Sequence, residues 1–128
     1  MALTPGGNTI AVIAYDNSPN HNQTSQTITI YFDLPAIYAS KDAAGGSCSG
    51  RSPCFSSIQE GIAWASVPSI IKITQDTYNE NIILNSELVM ILQGGWDTNF
   101  TSKSSFTTIQ GSITITHGTL ILENIILR

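Results

Sequence analysis

The chain has 128 residues, nine acidic and five basic, for a net charge of −4. That length holds one modest domain, or a small one with part of another, and the charge excludes a nucleic-acid binder, which needs clustered Lys and Arg against phosphates. Ser, Thr, Asn and Gln supply 44 residues, and Ile (19) outnumbers Leu (8), so the chain reads as all-β: rich in β-branched and small polar side chains, poor in helix formers. No apolar run approaches the roughly 18 residues of a membrane helix, so no membrane span is expected.

The chain opens with MALTPGGNTIAVIAYD, which lacks the basic and long apolar regions of a secretory leader. Thr9–Asp16 is apolar on both faces, as in a covered strand. After the turn-rich NSPNHNQTSQ comes Thr27–Asp33, where Ile28, Ile30 and Phe32 alternate with Thr27, Thr29 and Tyr31. The expectation for residues 1–35 is a β-hairpin with a long loop, which needs partners because a lone hairpin is marginal in water. The segment PGGNTIAVIAYDNS…QTITIYFD resembles the last two strands of bacterial immunoglobulin-like domains. That likeness implies further strands upstream; the alternative is a hairpin docked on the downstream domain.

Residues 36–56 read as a linker and a cysteine loop. Cys48 and Cys54 lie in GGSCSGRSPCF, where a flexible loop lets two nearby thiols reach disulfide geometry. Two free thiols are the alternative; zinc is disfavoured because His21 and His117 are distant in sequence. A disulfide fits an exported protein, whereas the sequons at Asn22 and Asn99 arise by chance in a chain so rich in Asn and Thr. The segment is read as a piece of a longer exported chain, extracellular or on a cell surface.

Residues 57–128 begin with a helix. Ser57-Ile-Gln-Glu60 fits a capping box, in which Ser57 accepts from an amide of the first turn and Glu60 reaches back to the cap amide. Ile58, Ile62 and Ala65 share a face, and Val67-Pro68 ends the run, so the helix is placed at 57–66. Strands are expected at Ser69–Thr74, Asn81–Leu84, Leu88–Gln93, Thr107–Thr116 and Thr119–Leu127, with apolar runs beginning at 70, 88 and 119. The insertion GGWDTNFTSKSSF lengthens the second gap, and Gly94-Gly95 would allow the sharp turn into it.

The order C-x5-C-F, S-I-Q-E-G-I, I-K-I-T-x-x-T-Y-N-E-N-I, L-x-L-Q-G-G-W-D and T-T-I-Q-G-S-I-T-I-x-x-G-T-L-x-L-E-N-I-I-L resembles the N-terminal portion of right-handed parallel β-helix proteins of the pectate-lyase-like superfold. The likeness covers residues 42–128. It implies a short helix capping the first coils, a turn shaped by Tyr78 and Asn81, and Asn124 as an inward turn asparagine of the kind that stacks in hydrogen-bonded ladders; a solvent-facing turn is the other reading of Asn124. The last residues, Ile125-Ile126-Leu127-Arg128, lie inside a strong strand, so either the natural protein continues or another chain caps this edge, and the isolated chain is expected to self-associate through its last coil.

No catalytic set emerges. The acids Asp76, Glu80, Glu87, Asp97 and Glu123 form no D-x-D or D-D pair, and Thr116-His117-Gly118 lacks the acidic companions a glycosidase needs. Ser57 is a helix cap without a His-Asp partnership. Asp76, Glu80 and Glu87 could bind calcium weakly if they cluster; a solvated turn edge is the simpler reading. No other cofactor is expected. The insertion is the candidate glycan contact, through Trp96, Asp97, Asn99 and Phe100, because exposed rings stack on sugars and amides and carboxylates bond hydroxyls; the simpler reading has Trp96 pinning the loop to the wall. The expected function is a non-catalytic structural or adhesive module of a bacterial surface protein, with polysaccharide or another surface protein as partner. The alternatives are the N-terminal part of a carbohydrate-active lyase or hydrolase, or a polysaccharide-binding module.

Overall fold

A computed structural model describes residues 6–15 and 23–128. The chain divides into two units, Met1–Leu34 and Pro35–Arg128. His21, the Asn22 sequon and most of the expected hairpin loop lie outside the described residues.

In the first unit, β1 (Gly6–Tyr15) and β2 (Gln23–Phe32) pair antiparallel in unbroken register from Gly6↔Phe32 to Tyr15↔Gln23. The two strands expected here do pair with each other, over longer spans than alternation alone marks.

The second unit is β-rich and built from parallel sheets. A five-stranded sheet has the order β4 (Cys54–Phe55), β3 (Ala36–Ala39), β5 (Ser69–Thr74), β7 (Ile82–Trp96), β9 (Ile113–Glu123). A three-stranded sheet has the order β10 (Ile125–Leu127), β8 (Thr107–Ile109), β6 (Thr77–Tyr78). Every neighbouring pair in both sheets is parallel. From β5 onward the chain visits the two sheets in alternation. Each visit lays a strand beside the one before, so side chains stack in columns: Ile37, Ile71, Leu92 and Leu122 form one, and Tyr78, Ile109 and Leu127 another. Ile71, Leu92 and Ile109 are fully buried. Burying one such side chain stabilises the fold by about 1.5–3 kcal/mol, which is why an Ile-rich sequence can sustain so narrow a core.

The only helix among the described residues, α1 (Ile58–Trp64), lies against this core with Ile58 and Ile62 buried. Gly61 lets it come close: a Cβ there would sit 3.3 Å from Ile37 Cγ2 and 3.5 Å from Ile71 Cδ1. Ser57 is the N-cap as expected, its Oγ accepting from the Glu60 amide at 3.4 Å. The reciprocal partner differs. Glu80, in the turn before β7, accepts from Ser57 Oγ (2.7 Å), Ile58 N (2.9 Å) and Gln59 N (2.9 Å), so a distant acid satisfies the first amides of the helix in place of the expected bond from the Ser57 amide to Glu60. The Gln59 amide then clips the helix to β7, accepting from Ile83 N at 2.7 Å and donating to Ile83 O at 3.1 Å.

Several boundaries move. Ser69–Thr74 stands as expected, but residues 36–39, read as linker, form β3, where Ile37 and Ala39 are buried between β4 and β5. The helix is shorter than 57–66. Asn81–Leu84 and Leu88–Gln93 are one strand, β7, which absorbs the intervening polar residues as register shifts after Leu84. Thr107–Thr116 instead breaks at Gln110–Ser112, and Thr119–Leu127 breaks at Asn124, where φ is +53°. In that conformation Asn124 Nδ2 donates to Ser105 O at 3.0 Å and its own carbonyl accepts from Thr107 N at 3.0 Å, tying the last turn to the turn beneath it. Asn81 does the same one corner on, its Oδ1 accepting from Ser112 N and Ser112 Oγ, each at 3.0 Å.

Polar groups inside the core are paired. Thr107 Oγ1 accepts from Gly95 N (2.9 Å) and donates to Thr74 O (2.7 Å). Tyr78 Oη lies 2.8 Å from Thr74 Oγ1 and donates to Ala39 O at 3.3 Å. Burial is the main reason the Tyr78 hydroxyl is pushed up to about 12. An unfolded tyrosine ionises near pH 10. Stability from keeping Tyr78 neutral is therefore complete below about pH 10 and declines as pH climbs towards 12. Tyr78→Phe should flatten that decline in urea melts recorded between those pH values; an unchanged slope would remove Tyr78 as its source.

Candidate functional site

The 97–106 excursion and the cysteine loop form one small cluster beside the five-stranded sheet. Gly95, at φ +80°, turns the chain out of β7; a Cβ there would run into the Ser105 carbonyl oxygen. An antiparallel bridge between Trp96 and Lys103 closes the excursion's base. Inside it, Asp97 organises the turn. Its Oδ1 accepts from Thr101 N (2.8 Å), its Oδ2 from Thr101 Oγ1 (2.7 Å), and its carbonyl from Phe100 N (3.0 Å). The Thr101 bonds hold the Asp97 carboxyl below the usual carboxylate range, since each favours the charged form.

Of the two rings offered as candidate glycan contacts, Phe100 faces protein and Trp96 is half-buried. Phe100 is only 4% exposed and packs edge-on to Tyr38, with ring centroids 4.9 Å apart, in a cluster with Cys48 and Cys54. It offers no face for stacking, which corrects its assignment as a glycan contact. The physical reason is the disulfide itself: Cys48 and Cys54 are bonded, and their small apolar knot gives an excursion ring somewhere dry to go. Trp96 is half-buried on the edge of this cluster, its Nε1 buried without a hydrogen-bond partner, and Lys72 Nζ sits 4.6 Å from its ring centroid. Asp97 spends both carboxylate oxygens on Thr101. Only Asn99 stands open to solvent as expected. Ser49 Oγ donates to Thr98 O at 2.9 Å, fastening the two loops at their tips. Sequence reading paired neither Tyr38 nor Lys72 with the excursion, and nothing local in their neighbourhoods signals it; the parallel register Tyr38↔Lys72 brings them together.

Asp76, Glu80 and Glu87 do not gather into a cation site. Asp76 lies 3.6 Å from Lys41, and Glu80 is committed to the helix start. Among the described residues no group of three or more His, Cys, Asp or Glu side chains could hold a metal ion. His117 is exposed on β9, Nδ1 3.1 Å from Asn85 Oδ1. Two surface hollows stand out among the described residues. One, of about 370 Å³, lies between α1 and β7 beside Gln59, Ile62 and Ile83; the other, of about 390 Å³, is lined by Gln75, Asp76, Thr77, Ser105, Phe106 and Thr108. No described helix is long and apolar enough to cross a membrane. No family model matches the chain, and no curated protein or solved structure matches it either.

This geometry makes Trp96 a pin for the excursion. Trp96→Ala should lower the unfolding free energy by about 2 kcal/mol, less than the loss of a fully buried ring because the residue is half-exposed. Chemical denaturation measures this, and an unchanged midpoint would return Trp96 to the free binding surface.

Proposed function

We propose that residues 36–128 are the capped first coils of a right-handed parallel β-helix. In this reading the chain is a rigid, non-catalytic structural or adhesive module of an exported surface protein, and its hairpin is the tail of an immunoglobulin-like domain. The observation that carries the reading is the rung-on-rung parallel register from β3 to β9 with its buried aliphatic columns. A helix packed on the β3 end of that stack supports it further, because a solenoid needs its first apolar layer covered. The Cys48–Cys54 disulfide supports export, since such bonds persist in oxidising compartments. The separate placement of Asp76, Glu80 and Asp97 supports a scaffold over an enzyme, because each bonds to a different partner, Lys41, the start of α1 and Thr101, and they do not gather at one site.

The test is incubation with uronate-containing and neutral polysaccharides, with and without calcium, followed by absorbance for unsaturated products and a reducing-end assay. The scaffold reading expects no product above a boiled control. Sustained turnover would replace it with the carbohydrate-active alternative, and an experimental structure showing left-handed winding would remove the architecture.

A further inference from the structure

Two cations beside the excursion have no acid. The chain carries five basic residues against nine acidic ones. Lys41 pairs with Asp76 and Lys103 with Glu123, whereas among the described residues no carboxylate forms an ion pair with Arg51 or Lys72. Each of these two stands over an aromatic ring instead. The Arg51 guanidinium carbon lies 5.9 Å from the Tyr38 ring centroid, and Lys72 Nζ lies over Trp96. The fold brings the pair together. Tyr38 pairs with Lys72 across β3 and β5, and Thr74, two residues further on, pairs with Trp96 across β5 and β7. Both rings pack on the disulfide cluster. Arg51 is anchored at its backbone inside the loop that the disulfide closes, its N–H donating to Cys48 O (2.8 Å) and its carbonyl accepting from Cys48 N (3.0 Å).

This aromatic shelf is rich in donors and poor in acceptors. Trp96 Nε1 adds a third donor, buried and unpartnered, where buried polar groups are ordinarily paired. The donor types specify what fits. A guanidinium fork takes two oxygens at once, and an ammonium takes one more as a point charge. A carboxylate has only the two oxygens that the fork consumes. A sulfate or phosphate ester has three, and its remaining oxygen carries the alcohol. The neighbouring loop tips, fastened by the Ser49–Thr98 bond, leave Thr98 and Asn99 exposed, and hydroxyls and amides of this kind bond sugar hydroxyls.

We propose that Arg51 and Lys72 bind a sulfate or phosphate ester group carried by a polysaccharide, on the shelf made by Tyr38 and Trp96. The site goes beyond the surface-module reading and does not rest on it: polysaccharide breakdown and ester binding are measured separately and fail independently.

Trp96 supplies a local readout, its indole N–H resonance in a proton–nitrogen correlation spectrum of the whole chain, assigned by its loss in Trp96→Phe. The indole of Trp64, exposed on α1, is the internal control. Titration with dextran sulfate and with phosphorylated dextran at constant ionic strength should shift the Trp96 resonance saturably, with a Kd of about 1 mM or tighter per ester group, and leave Trp64 in place. Neutral dextran should move neither. A response to one ester alone supports the site and names its source. Arg51→Gln and, separately, Lys72→Gln should each weaken binding at least about fivefold, and Lys72→Arg should hold it within about twofold. Arg128→Gln removes the same charge beside β8, on the other sheet, and should change binding little. No saturable shift with either ester overturns the proposal. Equal weakening by Arg128→Gln overturns it too, since that means diffuse attraction to the whole chain. So does saturation by inorganic sulfate or phosphate at the same concentration of anion, which means an adventitious ion only.

Discussion

Leu92→Ala is expected to lower the unfolding free energy by about 4 kcal/mol, near the upper part of the range for a buried leucine. Leu92 lies in the middle of a column, with Ile71 on one side and Leu122 on the other, and is fully buried. Truncation leaves a cavity bounded by rungs that cannot close on it, because the hydrogen bonds of the parallel ladder hold their spacing. Leu122→Ala, the next residue in the same column, should cost only about 1 kcal/mol, since its side chain is 45% exposed and much of its transfer energy is not realised. Urea unfolding of the two variants at low protein concentration makes the comparison, with the denaturant slope confirming that both unfold from the same state. Equal losses would mean the columns do not bear the load argued here.

Glu80→Ala is expected to cost about 3 kcal/mol, although Glu80 is not in the core. Its carboxylate accepts from one hydroxyl and two amides at the start of α1. Bonds to a charged acceptor contribute about 1.5–3 kcal/mol each when desolvated, discounted here because the side chain is half-exposed. Glu80→Gln keeps one acceptor oxygen and should lose about half as much. Glu60→Ala is the informative control, because local spacing marks Glu60 as the capping-box acid while the structure gives that work to Glu80; its effect should stay within about 0.5 kcal/mol. Thermal or urea melts decide it, and a larger loss at Glu60 than at Glu80 would reverse the assignment.

The misplaced capping acid shows where local reading stops. A box of Ser57 and Glu60 is a pattern within four residues, and its Ser57 half is real. The competing acid comes from 23 residues further on, and nothing in Ser57–Glu60 announces it. Phe100 makes the same point. An aromatic ring in a polar loop looks exposed until the disulfide and Tyr38 supply a dry place beside it.

What the sequence determined by itself was whatever depends on near neighbours. Alternating Ile and Thr made strands, and Ser69–Thr74 could be bounded to the residue because polar turns flank it. Two cysteines in a glycine-rich loop made a disulfide, and one amphipathic run made a helix. Only the tertiary structure decided which strands lie side by side. Parallel pairing joins residues one rung apart, and the same alternation would serve an antiparallel sheet equally well. That choice turned residues 36–39 from linker into a strand and joined two short runs into β7.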